Sequence, residues 1–524
     1  MALLPFRSPL IADIGISFGD EGKGRLISEV IRELQTSTGL NDPVRVVLKV
    51  NGGANSGHTA GGLKLNLLPG GVIESSVSIL GLGSGVVADP RKLLWECRTT
   101  ESRGFEVFSR LKIDERTMVS DLGHRLLDLA WESYRENQLK LPARGSTGRG
   151  ITPAYLDEVG QWQVYYADFL GNPDRLRKRF ASRLERAIDT IKNVCKVTED
   201  EWFEFFSKLT NAEKRANSAG IAEGILSEEE VDFNEFCGSE PFTLNKSLFD
   251  TYWATGIQFR DAICDIREVV LSAVNDGRSV IGEFGQAYWL DKRHGFTPNV
   301  TASHTTTPEF FQSAGVPVQP LHTFGVCKAY DTKVGTHDFL TRIPADHSLS
   351  EKLCKIEFGT STGRQRMVGW FDAVEKGTTL RYNGFDDLVI NKLDALTCDG
   401  SWEGSLRICT SYKRPDGEIV GRVPRDEVVR RESTPVFEDM EPWDEDIRSV
   451  RTFQDLPVNA QIYVAAMVYY TLSCAYGDEE WPKDLPNLRY IGVGPNPDEI
   501  IKEIPETTEV IKMLPEKNAV SIQQ

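Results

Sequence analysis

The chain has 524 residues, 40% of them hydrophobic and 26% charged, which excludes a wholly disordered protein and supplies material for a sizeable core. A net charge of −17 and a pI near 5.1 argue against bulk nucleic-acid binding but do not bear on a local cationic pocket for phosphates. The length could hold three average domains, but large α/β enzymes often grow by insertion onto one core, and residues 1–524 read as one such unit.

Short apolar, β-branched runs alternate with helical stretches, which predicts α/β layering: a large mixed sheet flanked by helices. In chain order, an apolar stretch from Ile11 to Phe18 precedes a helical one, Arg25 to Leu34. Strands are expected at Val44–Val50, Val77–Leu82, Ser279–Gly282, Thr323–Ala329, Asp387–Ile390 and Leu406–Ser411. Between them, residues 172–275 are charged, helix-favouring and aromatic-rich. They read as a helical insertion lobe with a mobile acidic patch around Ser227–Glu235, its aromatics serving as packing. Charges and prolines from 424 to 455 predict a surface excursion. An apolar helix (Ala460–Tyr476), a strand (Leu488–Val493) and a polar tail follow. Nine scattered cysteines without CxxC spacing suit reduced thiols in the cytoplasm. The N-terminus lacks a signal-peptide shape, and no run reaches membrane-span length.

Two segments carry the chemistry. Gly19-Asp20-Glu21-Gly22-Lys23-Gly24 lies between a strand and a helix N-terminus, where free N–H groups and the helix dipole attract phosphate. It is not a standard Walker A loop, because Gly24 replaces the magnesium-binding hydroxyl. An acid inside such a loop is costly unless it holds a metal or moves a proton, which singles out Asp20. Far along the chain, Asn391-Lys392-Leu393-Asp394 has the composition of a guanine reader. A carboxylate accepts both the N1–H and the 2-amino proton of guanine, which adenine does not offer. Together they point to a guanine nucleotide. A third segment, Asn51 to Thr59, places Asn55 and His58 among small residues directly after a strand, which makes His58 an acid–base candidate.

At this point the chain resembles the adenylosuccinate synthetases, GTP-dependent ligases that join aspartate to IMP. The loop GDEGKG is intact, and Gly52–Thr59, Thr147–Tyr155, Glu283–Gln286 with His294–Thr301, Phe358–Arg366 with Gly369–Asp372, and Asn391–Asp394 match family segments in order. Weaker echoes are Pro435–Glu438 and Gly492-Val493-Gly494-Pro495. The resemblance implies a P-loop-like GTP-binding core, a homodimer, and binding of neither nucleic acid nor membrane. It makes Asp20 and His58 catalytic and Asp20 with Gly57 the Mg2+ ligands. GTP would meet Gly19 through Arg25, Gly57, His58, Thr59, Arg366, Lys392, Leu393, Asp394, Gly492, Val493 and Gly494. IMP would meet Asp20, Lys23, Asn55, His58, Thr147, Gln286, Thr301 and Arg364. Aspartate would meet Thr360, Ser361, Thr362, Gly363, Arg364 and Arg366.

Four departures stand out. The family's Arg that reaches the partner's IMP phosphate is replaced by Gln161, and the Lys after GDEGKG is Arg25. The helical lobe is longer, and Pro308-Glu309-Phe310-Phe311 replaces small residues. Two alternatives follow: a paralogous ligase acting on a different 6-oxopurine nucleotide or amine, or a catalytically idle GTP-binding regulatory protein.

Overall fold

The computed structural model describes residues 5–333, 339–358, 365–477 and 480–515. Its frame is a ten-stranded sheet. In chain order the strands are β1 (Leu10–Gly15), β2 (Val44–Lys49), β3 (Ile79–Leu82), β4 (Leu111–Asp114), β5 (Ile263–Cys264), β6 (Ser279–Ala287), β7 (His322–Lys328), β8 (Asp387–Asn391), β9 (Asn487–Gly492) and β10 (Ile500–Ile501). They lie in the order β5-β4-β3-β2-β6-β1-β7-β8-β9-β10, parallel except for the last, antiparallel pair. Parallel strands covered on both faces read as unbroken apolar runs rather than alternations, and every residue of β1 is buried. Among those residues only Asp13 is charged.

β1 lies between β6 and β7, and the chain passes from β6 on one side of it to β7 on the other. The crevice at the C-terminal edge there is a topological switch point, where open α/β sheets bind ligands. The strand expectations hold to within a few residues, except that β6 runs on to Ala287. Leu406–Lys413 belongs to a separate four-stranded sheet with Phe371–Asp372, Ile419–Val420 and Thr434–Met440. Among the described residues no helix is long and apolar enough to cross a membrane. The apolar helix Val458–Tyr476 is buried instead against Ala373–Asn383, where a Cβ on Gly377 would come within 2.6 Å of the Thr471 carbonyl.

Three expectations about organisation need correction. Residues 424–455 are not simply a surface excursion, since they contribute the strand Thr434–Met440 and bury Trp443 and Ile447. The 172–275 lobe ends earlier than its composition suggests: β5 pairs with β4 in the main sheet, and the helix Ile266–Asn275 packs into the main core. The Ser227–Glu235 stretch is pinned. Val231 and Phe233 are fully buried, and the Arg91 guanidinium sits 4.7 Å from the rings of Phe233 and Phe236.

The lobe packs Trp202, Phe205 and Phe206 into the same apolar cluster as Leu93 and Leu126 of the core. One buried carboxylate, Glu213 on the helix Glu199–Ala216, anchors it: Arg125 donates to Glu213 at 2.8 Å, and Arg149 donates to the same oxygen. Arg125 also donates from Nε to the Gly148 carbonyl at 3.0 Å, so the lobe braces the 145–150 loop. Removing one partner of a buried ion cluster costs about 3–5 kcal/mol. Glu213→Gln should therefore lower the urea midpoint clearly. An unchanged midpoint would contradict the anchoring role.

Candidate active site

The phosphate loop is held from within. Glu21 is buried, and its carboxylate accepts from the Gly19 N–H at 2.7 Å, the Ser17 N–H at 3.3 Å and Lys23 Nζ at 3.1 Å. The Glu21 side chain thus shapes the loop, leaving its backbone to face a nucleotide. Gly22 has φ 80°, a conformation that L side chains rarely adopt, and Lys23–Arg25 form a 3₁₀ turn into the helix Leu26–Thr38. At Gly24 a Cβ would lie 2.6 Å from the Thr59 carbonyl, so the passing backbone excludes a Walker hydroxyl residue. Lys23 Nζ donates to the Gln286 carbonyl at 2.8 Å. Burial lowers the Lys23 pKa, but Glu21 and Asp13 outweigh it and hold the ammonium charged.

His58 begins a short hairpin strand (His58–Ala60), and its Nε2 lies 3.1 Å from Glu283 Oε1. Burial pushes the imidazole pKa down, against the pull of Glu283. The other Glu283 oxygen accepts the Gly70 N–H at 2.6 Å, which fixes the carboxylate. Asn55 Nδ2 approaches Thr301 Oγ1 at 3.5 Å, so these two expected IMP contacts come together. Gln286 has φ 54°, and both of its buried side-chain amide atoms lack a protein partner, as suits a group awaiting a ligand. Thr147 stands exposed on the braced loop, and no hydrogen bond links it to Asn55, Thr301 or Gln286.

At the far end, Lys392 is left-handed (φ 59°) and caps the 3₁₀ turn Leu393–Leu396 that carries Asp394. Burial raises the Asp394 pKa, and no other side chain is hydrogen-bonded to it among the described residues. Asn391 Nδ2 donates to the Glu21 carbonyl at 2.7 Å and ties the two motifs together. Leu393 and Val493 are fully buried, so only their backbones can reach a ligand. Arg25 spends its guanidinium on the carbonyls of Gly494 (3.0 Å), Asn496 (2.8 Å) and Glu499 (3.3 Å), bracing the 492–499 turn. A Cβ on Gly492 would strike Asn391 Oδ1 and Arg25 Nη1 at 2.7 and 2.9 Å, which explains glycine there.

Between the two ends lies a network that the motifs alone did not reveal. Asp20 Oδ2 accepts from Thr332 Oγ1 at 2.6 Å, and the cations of Arg366 (Nε at 2.9 Å) and Lys328 (Nζ at 3.4 Å) pair with it. Arg366 continues to Glu357 at 2.7 Å, and Lys328 reaches Glu357 at 2.9 Å. Burial lowers the Arg366 pKa, but Asp20 and Glu357 more than offset it. Glu283, Lys328, Thr332 and Glu357 are site-lining positions that motif reading did not single out. The available signal was adjacency: Glu283 and Glu357 directly precede or open matched segments. The expected aspartate contacts Thr360, Ser361, Thr362, Gly363 and Arg364 lie outside the described residues.

Hard oxygens from Asp20 and Gly57 suit Mg2+. No cluster of three or more His, Cys, Asp or Glu side chains among the described residues could cage a metal, so such an ion needs substrate oxygens to complete its shell.

A parallel sheet with a phosphate loop at its switch point, an acid within that loop and a guanine reader across the crevice define a guanine-nucleotide-dependent α/β enzyme. The family model described as adenylosuccinate synthetase matches residues 13–220 and 221–473. The adenylosuccinate synthetase of Myxococcus xanthus is 33% identical over 87% of this chain and 92% of its own length. That of an Exiguobacterium species is 31% identical over 86% and 91%. The structure of the fully ligated adenylosuccinate synthetase from Plasmodium falciparum is similar with a TM-score of 0.73 and 25% identity, covering 95% of this chain and all of that one. The chain belongs to the adenylosuccinate synthetase family. It is a Mg2+-dependent ligase of purine biosynthesis that uses GTP to join L-aspartate to IMP, and the family is typically dimeric.

Proposed function

We propose that Asp20, His58 and Lys23 perform the chemistry and that Asp394 selects GTP. The observation that carries this reading is the position of Asp20: a loop carboxylate held by Arg366 and Thr332 at the edge of the phosphate loop. In the first step Asp20 takes the N1 proton of IMP. O6 then forms a bond to the γ-phosphorus of GTP as the bond to the bridging oxygen breaks and GDP leaves. Lys23 places positive charge beside the transferred group, and His58, oriented by Glu283, donates a hydrogen bond where charge develops on the phosphates. In the second step the aspartate amine bonds to C6 as phosphate leaves. When bound by Asp20 and Gly57, Mg2+ supplies charge neutralisation to the phosphates. Asn55, Gln286, Thr301 and Thr147 hold IMP, and residues 360–366 hold aspartate, the Arg366 charge facing its carboxylate.

A turnover assay with GTP, aspartate and a panel of monophosphates, reading phosphate release and adenylosuccinate, tests the substrate reading. Faster turnover of another 6-oxopurine monophosphate than of IMP would overturn it. All nine cysteines are free, which suits a reducing compartment, and the cytoplasm is the proposed location.

Gln161 marks where the proposed homodimer departs from the family pattern. It sits left-handed (φ 63°) after the helix Ile151–Val159, on a stretch that exposes Leu156, Val159 and Trp162, surface that a second copy would cover. Of the lobe cations able to replace the missing charge, Arg177 is paired with Asp250 at 2.8 Å and Arg179 with Asp168 at 2.5 Å. A charge-assisted hydrogen bond is about twice as strong as a neutral one, so Gln161→Arg should lower the IMP KM without changing the GTP KM. An unchanged IMP KM would move weight away from a phosphate shared across the dimer.

A further inference from the structure

Glu357 is fully buried, yet it belongs to neither substrate pocket described above. Four donors fill its carboxylate. Tyr330 Oη donates to Oε1 at 2.6 Å and Lys392 Nζ to the same oxygen at 2.7 Å. Lys328 Nζ and Arg366 Nη1 donate to Oε2 at 2.9 and 2.7 Å. These donors come from three separate pieces of chain: the end of β7 with Tyr330 beyond it, the turn after β8, and the residues before the strand Met367–Gly369. Two of them, Lys328 and Arg366, also face Asp20 Oδ2, at 3.4 and 2.9 Å. A third, Lys392, belongs to the turn that carries Asp394. One carboxylate therefore shares cations with the acid of the phosphate loop at one end and the base-reading turn at the other.

We infer that Glu357 is a positioning residue that couples occupancy of the guanine pocket to the geometry of Asp20, resting on the roles proposed above for Asp20 and Asp394. Lys392, half-buried, neutralises the carboxylate from Oε1 while Lys328 and Arg366 do so from Oε2, so the position of its ammonium sets how strongly the remaining negative charge of Glu357 draws those two cations. Lys328 and Arg366 divide their charge between Glu357 and Asp20. A change at Lys392 thereby alters how tightly Asp20 is held, and so how readily it turns toward N1–H. Base recognition then contributes to kcat as well as to GTP affinity, which is the way binding energy remote from the reacting atoms accelerates chemistry. Uncoupled recognition would contribute to GTP affinity alone.

The test is a double-mutant cycle on Lys392→Met and Glu357→Gln, with kcat and KM measured for GTP and IMP. Lys392→Met should raise the GTP KM and also lower kcat about tenfold, within the usual range of coupling between sites. Glu357→Gln should lower kcat at least as much with little change in the IMP KM, and adding Lys392→Met to it should lower kcat no further. Multiplicative kcat effects overturn the inference. Lys392→Met alone keeps the inference falsifiable if Glu357→Gln does not fold, because the side chain is 38% exposed and an unchanged kcat in that variant also overturns it. Full turnover by Asp20→Asn would remove the underlying reading and the inference with it. An inactive Asp20→Asn beside independent effects at 357 and 392 overturns the inference alone.

Discussion

Asp20→Asn should lower kcat by about two to four orders of magnitude, the usual contribution of a positioned general base. The substitution keeps the size and one acceptor oxygen of the side chain but cannot take the N1 proton of IMP. It also leaves Arg366, now 2.9 Å from the carboxylate, facing a neutral amide. GTP binding should survive, because the Lys23 ammonium and the loop amides depend on Glu21 rather than on Asp20. Steady-state kinetics together with calorimetric GTP titration separate the two effects. A kcat within tenfold of the unmodified enzyme would remove Asp20 from the chemistry and shift attention to Asp13. That carboxyl has a pKa pushed well up by burial and accepts the Phe284 N–H at 2.8 Å.

Much of this molecule is legible where one physical rule dominates. The central strands β1, β2, β7 and β8 are almost wholly buried because both of their faces are covered, and their β-branched and apolar content stands out from the polar segments around them. The phosphate loop and the guanine reader are legible because each is contiguous. Reading fails where two signals overlap. In Ser227–Glu235, Val231 and Phe233 point inward while Asp232 and the surrounding glutamates face solvent, and the acids mask the two-residue alternation. In Thr434–Met440 the half-exposed strand carries Pro435 and two acids, so its pairing with Leu406–Lys413 is invisible without the partner. The network around Glu357 fails for a different reason. Its donors are separated along the chain by up to 64 residues, from Lys328 to Lys392, and only the fold brings them to one carboxylate. Arg25 lies beside the phosphate loop in sequence, and the fold commits its guanidinium to the carbonyls of Gly494, Asn496 and Glu499.

Asp394→Asn should exchange the nucleotide preference of the enzyme. In the unmodified chain the carboxylate accepts from both N1–H and the 2-amino group of guanine, whereas ATP offers an acceptor at N1 and should be used poorly. The asparagine keeps one acceptor and replaces the other with an amide donor. Guanine's amino group then meets a donor, while the C2 oxygen of xanthine meets a partner. A hydrogen bond to a charged group is worth about 1.5–3 kcal/mol, so the GTP kcat/KM should fall by about 10- to 100-fold and that for xanthosine triphosphate should rise. Burial raises the Asp394 pKa, so in the unmodified protein the acceptor pair is complete above that pKa and is lost as the pH falls through it. GTP affinity should therefore weaken on acidification in the unmodified enzyme, while Asp394→Asn, which has nothing to titrate there, should lose that component. Competition kinetics with GTP, ATP and xanthosine triphosphate across pH read both effects. An enzyme that uses ATP as well as GTP before substitution, or a variant that still prefers GTP over xanthosine triphosphate, would place base recognition elsewhere than Asp394.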